Sequence, residues 1–105
     1  MRILFDQGTP APLRHHLPGH SVETAHEKGW STLRNGELLA KAEAEFDLLI
    51  TTDRHLRHQQ NMADRRIAIL VLPTTSWPRL ERVTREISSA ADSLKPGQYL
   101  DLELS

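Results

Sequence analysis

The fold is decided by the run Leu48-Leu49-Ile50-Thr51-Thr52-Asp53, in which a short apolar segment ends in an aspartate. The run Arg2-Ile3-Leu4-Phe5-Asp6, near the N-terminus, has the same form. Apolar runs this short are typical of strands buried on both faces of a parallel sheet. Functional sites of open α/β sheets lie beyond the carboxyl ends of their strands. If the two strands are neighbours, we therefore expect Asp6 and Asp53 to lie together at that edge.

The composition favours a single domain over residues 1–105, because a chain of 105 residues without cysteine can bury one core and forms no disulfide. The net charge of −1 gives no global basic field, so any nucleic-acid contact would need a local basic patch. No apolar run approaches the roughly 18 residues of a membrane-spanning helix, and the N-terminus lacks a signal-peptide pattern. These features predict a cytoplasmic protein that does not act at a membrane.

Strands and helices are predicted to alternate along the chain. Further strands are expected at residues 20–24, 67–72 and 98–105, and helices are expected after the first strand, from Asn35, and over residues 77–94. Thr9 is expected to cap the first of these helices, with Pro10 as its first residue. The alternation predicts a three-layer α/β domain: a mostly parallel five-stranded sheet with helices on both faces. The order 2-1-3-4-5 would place the first and third strands side by side.

A third carboxylate, Glu37, belongs to the first turn of the helix that begins at Asn35, near the same predicted edge. Three carboxylates form an oxygen-rich site suited to Mg²⁺ or Mn²⁺. In such a site Asp6 is the central ligand, Asp53 the second, and Glu37 a third ligand or a group that positions water. The metal ion would polarise a phosphate oxygen and activate water for attack on a phosphodiester. The side chains expected to orient metal-bound water are Gln7, Asn35, Thr51 and Thr52.

Each of these acids also has a structural explanation. Asp6 could accept a hydrogen bond from the turn at residues 8–9 as an Asx-turn residue. Asp53 could cap the polar segment that follows it, and Glu37 is favourable near the positive end of a helix dipole.

The chain is locally basic directly after Asp53. The stretch 54–66 carries four arginines against one acid, namely Arg54, Arg57, Arg65 and Arg66. A loop of this kind could hold an RNA backbone over the acidic site. A solvated helix face explains the same charges equally well.

The order and spacing of these segments resemble the small PIN-like domains related to VapC-type toxins, a family largely of unknown function. The matching segments are 3–6, 19–22, 36–39 with Ala42, 50–53, the apolar strand 67–72 and the helix after it. The resemblance implies a parallel sheet covered by helices, metal-dependent ribonuclease activity, dimerisation and often a small antitoxin partner. By the family's pattern, Asp6 and Asp53 match metal-binding acids.

The chain departs from that pattern at several positions. Gln7 stands where such domains often carry an acid, and Asn35 stands where they tend to have an aspartate. His55 and Leu56 replace the aspartate and phenylalanine that commonly follow the Thr-x-Asp motif. With fewer carboxylates, we expect a weaker hold on a second cation.

Three functions are compatible with this sequence. The first is a Mg²⁺- or Mn²⁺-dependent endoribonuclease, the toxin of a toxin–antitoxin pair. The second is a PIN-like module that has lost catalysis and binds RNA or a protein, as Gln7 and Asn35 would suggest. The third is a receiver-like signalling domain, which shares the strand order, an aspartate after the third strand and the hydroxyls of Thr74 and Thr75 after the fourth. A receiver normally also needs an acid pair after the first strand and a lysine after the fifth.

Overall fold

The computed structural model describes residues 1–56 and 65–103. In these ranges the strands are β1 (Arg2–Phe5), β2 (Ser21–Thr24), β3 (Leu48–Thr51), β4 (Ala68–Val71) and β5 (Tyr99–Asp101). The helices are α1 (Asn35–Glu45), α2 (Trp77–Leu80) and α3 (Thr84–Ser93), with 3-10 helices at Ala11–His16 and Glu81–Val83.

The strands form one sheet in the order β2-β1-β3-β4-β5, and every neighbouring pair is parallel. The predicted α/β class is therefore confirmed, the strand order is the one considered above, and the sheet is parallel throughout its described strands. β1 and β3 lie side by side, in register from Ile3 opposite Leu48 to Phe5 opposite Ile50. We call the edge where the strands end the carboxyl edge, and the opposite edge the amino edge.

Helices cover both faces of the sheet, because alternate side chains of each central strand enter different cores. Ile3 and Phe5 pack with Ile87 beneath the 3-10 helices, α2 and α3. Leu4 packs with Leu39 of α1 on the other face. All of these side chains are buried. Full burial of an aliphatic or aromatic side chain contributes about 1.5–3 kcal/mol, which explains why the central strands are apolar throughout.

The helices differ from the prediction in two places. The segment expected as one helix over residues 77–94 is divided by a 3-10 turn, because Val83 has φ −124° and ψ 25°, outside the helical range. The segment after β1 is a 3-10 helix, and Pro10 rather than Thr9 occupies its N-cap. None of the helices in the described ranges is long and apolar enough to cross a membrane.

Candidate active site at the carboxyl edge

Asp6 is the first residue after β1, and its backbone extends the pairing of β1 with β3. Its N–H donates to the Ile50 carbonyl at 3.2 Å, and its own carbonyl accepts the Thr9 N–H at 3.2 Å. The turn passes so close to β3 that a Cβ on Gly8 would collide with the Thr52 hydroxyl. Glycine at this position therefore permits the close approach that places Asp6 against the end of β3.

Two threonine hydroxyls hold the Asp6 carboxylate. Thr9 Oγ1 donates to Asp6 Oδ1 at 2.9 Å, and Thr51 Oγ1 donates to Asp6 Oδ2 in a short hydrogen bond. The Thr9 hydroxyl also lies 2.9 Å from the Ile50 carbonyl oxygen, so its single proton has two acceptors. Both threonines are buried, with 6% and 1% of their surface exposed. The orientation of the carboxylate is thus fixed by groups that belong to the edge of the core.

Burial raises the pKa of the Asp6 carboxyl above its ordinary value. The hydrogen bonds from Thr51, Thr9 and the Gly8 N–H lower the pKa of Asp6, because they stabilise the ionised form. The negative charge of Asp53 raises the pKa of Asp6 further. The two aspartates are therefore close enough to repel one another, which agrees with the expectation that they share one edge.

Asp53 is joined to Asp6 through the Thr51 hydroxyl. The Asp53 N–H donates to Thr51 Oγ1 at 3.1 Å, and that hydroxyl in turn donates to the Asp6 carboxylate. Asp53 Oδ1 accepts the His55 N–H at 2.9 Å, and Asp6 likewise accepts the Gly8 N–H. Each acid thus receives an N–H from two residues further on, as an Asx turn does. The structural explanation holds for both acids, but it does not account for their placement side by side.

An open cavity of about 670 Å³ lies in front of Asp6. The residues that line it are Asp6, Gln7, Gly8, Thr9, Pro10, Ala11, Thr24, His26 and Thr75. One wall is the turn after β1 with the start of the 3-10 helix, and the facing wall is the end of β2. His26 was not among the predicted site residues. His26 stands two residues after β2, just as Asp53 stands two residues after β3. This shared position beyond a strand end could have indicated His26 from the sequence.

An ion pair ties the two walls of this cavity together. Arg14 donates to both carboxylate oxygens of Glu27, at 2.5 and 3.2 Å. Glu27 also accepts the Thr24 N–H at 2.9 Å, and its own N–H donates to Thr24 Oγ1 at 3.0 Å. The hydrogen bonds from Arg14 lower the pKa of Glu27 to about 2. The 3-10 helix is therefore fixed relative to the turn that carries His26.

Glu37 is not brought into this group. Leu38 and Leu39 face the core, so the preceding Glu37 is exposed to solvent. Within residues 1–56 and 65–103, no three His, Cys, Asp or Glu side chains lie close enough to hold a metal ion together. The expected site of three carboxylates is therefore not assembled in the described structure. The side chain of Asn35 lies outside the described residues.

The predicted basic loop is divided between the two edges. Arg54 lies at the carboxyl edge, where its guanidinium donates to the Pro73 carbonyl at 2.7 Å. Arg65 and Arg66 precede β4, which places them at the amino edge. There Arg65 forms an ion pair with Glu43 at 2.7 Å, and the Arg66 N–H donates to the same carboxylate. Arg57 lies outside the described residues.

The donor atoms at the carboxyl edge suit one hard cation. Asp6 and Asp53 offer carboxylate oxygens, and Gln7 offers an amide oxygen in the same cavity wall as Asp6. Mg²⁺ is commonly bound through one or two carboxylates, with water completing its coordination. Such an ion would also offset the repulsion between the two acids. Two carboxylates therefore fit a single ion better than a pair of ions.

No protein-family model matches this chain, and neither a curated protein nor a solved structure matches it. The function is therefore inferred below from the chemistry of the carboxyl edge, together with the resemblance of the sequence segments.

Proposed function

We propose that this protein is a metal-dependent endoribonuclease whose catalytic acids are Asp6 and Asp53. The observation that carries the proposal is the Asp6 carboxylate, partly buried and oriented by two hydroxyls beside a second carboxylate. Placing two like charges together destabilises the ionised pair, and a bound cation would offset this cost. A turn that needed only an acceptor for an N–H could use asparagine or serine without that cost.

The residues at the edge have distinct roles in this proposal. Mg²⁺ or Mn²⁺, when bound, supplies a Lewis acid for a phosphate oxygen and lowers the pKa of water. Asp6 is the central ligand, because its two oxygens are held in place by Thr9 and Thr51. Asp53 is the second ligand. Gln7 lines the cavity, where its amide is available to orient water or a phosphate oxygen.

RNA is the substrate that the resemblance to PIN-like domains implies. The open cavity in front of Asp6 is compatible with a phosphodiester that enters from solvent. The same resemblance implies a biological setting, namely a toxin that acts as a homodimer and is inhibited by a small antitoxin protein. We include the homodimer and the antitoxin protein in the proposal.

A second candidate function is a non-catalytic module that binds RNA or a protein at the same edge. It is favoured by Gln7 and by the exposed position of Glu37, since neither adds a carboxylate to the aspartate pair. Partner binding by such a module would not depend on divalent cations.

The receiver-like alternative has less support, although the observed strand order is compatible with it. A receiver needs a pair of acids after β1, whereas here Asp6 is followed by Gln7. Lys95 precedes β5 and so lies toward the amino edge, away from the aspartate pair. Lys95 is therefore not placed to neutralise a phosphorylated Asp53.

The deciding experiment is cleavage of a mixed RNA pool with Mg²⁺ or Mn²⁺ by wild type, Asp6→Asn, Asp53→Asn and the control Asp47→Asn. Asp47 is an exposed acid at the amino edge that accepts the Arg2 N–H at 2.8 Å. Metal-dependent cleavage that is lost in the first two variants and kept in the third would support the nuclease. A folded wild-type protein that binds RNA in chelator but never cuts it would instead establish the non-catalytic module.

A further inference from the structure

Two arginines share a cleft beside the aspartate pair. Arg54 directly follows Asp53 in the chain, and Arg79 lies in α2. Together with Pro73 and Glu103 they line a cleft of about 390 Å³. Because Pro73 follows β4 and Glu103 follows β5, this cleft opens at the carboxyl edge.

Neither guanidinium forms an ion pair with a residue that the structure describes. Arg54 is oriented by its hydrogen bond to the Pro73 carbonyl, which uses one of its five N–H donors. Arg14 and Arg65, by contrast, are neutralised by glutamates at 2.5 and 2.7 Å. Guanidinium groups bind phosphate with strong, paired hydrogen bonds, and two in one cleft can hold one phosphate from two sides.

We propose that Arg54 and Arg79 form a phosphate subsite, which binds the RNA backbone next to the aspartate pair. The identification of the phosphate as part of RNA rests on the function proposed above. Glu103 lines the same cleft and reduces its positive charge. Its removal should therefore strengthen the binding of a phosphate, whereas loss of either arginine should weaken it.

The test is binding of a single-stranded 2′-O-methyl RNA, which resists cleavage, to the full chain in the presence of chelator. The variants are Arg54→Gln, Arg79→Gln and the control Arg82→Gln, since Arg82 is exposed, follows α2 and does not line the cleft. We expect Arg54→Gln and Arg79→Gln each to bind about tenfold more weakly, as loss of a charge-assisted contact does. Arg82→Gln should bind as wild type, and Glu103→Gln should bind more tightly.

The salt dependence of the binding gives a second readout. For a single strand, each lost phosphate contact should reduce the slope of log K against log salt by about 0.7. We expect this reduction for Arg79→Gln and none for Arg82→Gln. Equal affinities and slopes for these two variants, or no binding by wild type in chelator, would overturn the subsite.

The result of this RNA-binding test can be distinguished from the result of the RNA-cleavage test. If Arg79→Gln binds RNA more weakly but the wild type never cuts RNA, the phosphate subsite is supported and the nuclease proposal is contradicted. If the wild type cuts RNA in a metal-dependent way but both arginine variants bind RNA as the wild type does, the phosphate subsite is contradicted and the nuclease proposal is supported.

Discussion

At the amino edge of the sheet three acidic side chains have partners within the fold, whereas at the carboxyl edge two pairs of like charges lie together. The amino-edge contacts are Asp47 with the Arg2 N–H, Glu43 with Arg65, and Asp92 with His20. At the carboxyl edge the charge of Asp53 acts on Asp6, and Arg54 shares a cleft with Arg79. The three amino-edge acids thus have partners within the fold, and the two pairs of like charge at the carboxyl edge are groups to which a cation and a phosphate are complementary.

The energetics of the two edges differ in the same way. Ion pairs close to solvent, such as that of the partly exposed Arg65 and Glu43 at the amino edge, contribute about 0–1 kcal/mol each. Burial of the Asp6 carboxylate next to Asp53 works against folding, because it raises the pKa of Asp6. A sequence under pressure for stability alone would favour a neutral residue at position 6.

The largest effect should come from Asp6→Asn. Loss of an outer-shell partner of a metal site costs roughly 10–100-fold in activity, and a direct ligand should matter at least as much. We therefore expect RNA cleavage to fall by about 100-fold or more, while the urea midpoint stays the same or rises. The matched variant Asp47→Asn should leave cleavage unchanged. Equal RNA cleavage by Asp6→Asn and Asp47→Asn would contradict the proposal that the active site lies at the carboxyl edge.

Thr51→Val should produce the next largest effect. Valine has the shape of threonine but cannot bridge Asp53 and Asp6, so the Asp53 N–H and a carboxylate oxygen of Asp6 lose this hydrogen-bond partner. We expect about 1–3 kcal/mol of lost stability and a decrease in kcat of roughly tenfold or more. Thr51→Ser keeps the hydroxyl and should recover most of the activity. If serine fails to rescue, the hydroxyl does not position Asp6.

Gly8→Ala should disturb the carboxyl edge by steric overlap. The new methyl group meets the Thr52 hydroxyl, and overpacking of this kind costs about 1–3 kcal/mol. The double variant Gly8→Ala/Thr52→Ala removes the colliding atom and should regain much of the free energy of unfolding. Additive losses in this double-mutant cycle would show that the two residues are not in contact.

The smallest effect on stability should come from Glu27, which lies near the cavity in front of Asp6 and forms an ion pair with Arg14. Its pKa in the folded protein is about 2, below the ordinary value of 4.5, so the pair with Arg14 stabilises the fold above about pH 4.5. This contribution is lost as the pH falls from 4.5 towards 2. The difference in urea midpoint between wild type and Glu27→Gln should therefore shrink over that interval. Glu86→Gln, in the first turn of α3, serves as the control, and a parallel trend in it would contradict the assignment.

The sequence was sufficient to predict the central strands and the two aspartates at one edge. Apolar runs that end in an acid bury their backbone in the sheet and leave the acid at its edge, as Asp6 and Asp53 both show. The alternation of strands and helices is compatible with the order 2-1-3-4-5, which the structure has.

The parts that were not predicted depend on where individual side chains point. Thr9 has the sequence context of a helix cap, but its hydroxyl binds Asp6 and Ile50 because the helix begins later. Glu37 lies in the first turn of α1, as predicted, but it is next to residues that face the core. Its side chain is therefore directed to solvent. Arg65 could have been placed correctly, since a residue that precedes a parallel strand lies at the opposite edge from one that follows it.

The hydrogen bond from the Asp6 N–H to the Ile50 carbonyl has a consequence for motion. It extends the pairing of the two central strands by one hydrogen bond, so the backbone at Asp6 is held to the end of β3. Its amide should accordingly exchange with deuterium as slowly as those of the core, on the timescale of global unfolding. The central acid is then held in place before any ligand arrives, and no entropy of loop ordering is lost when one binds.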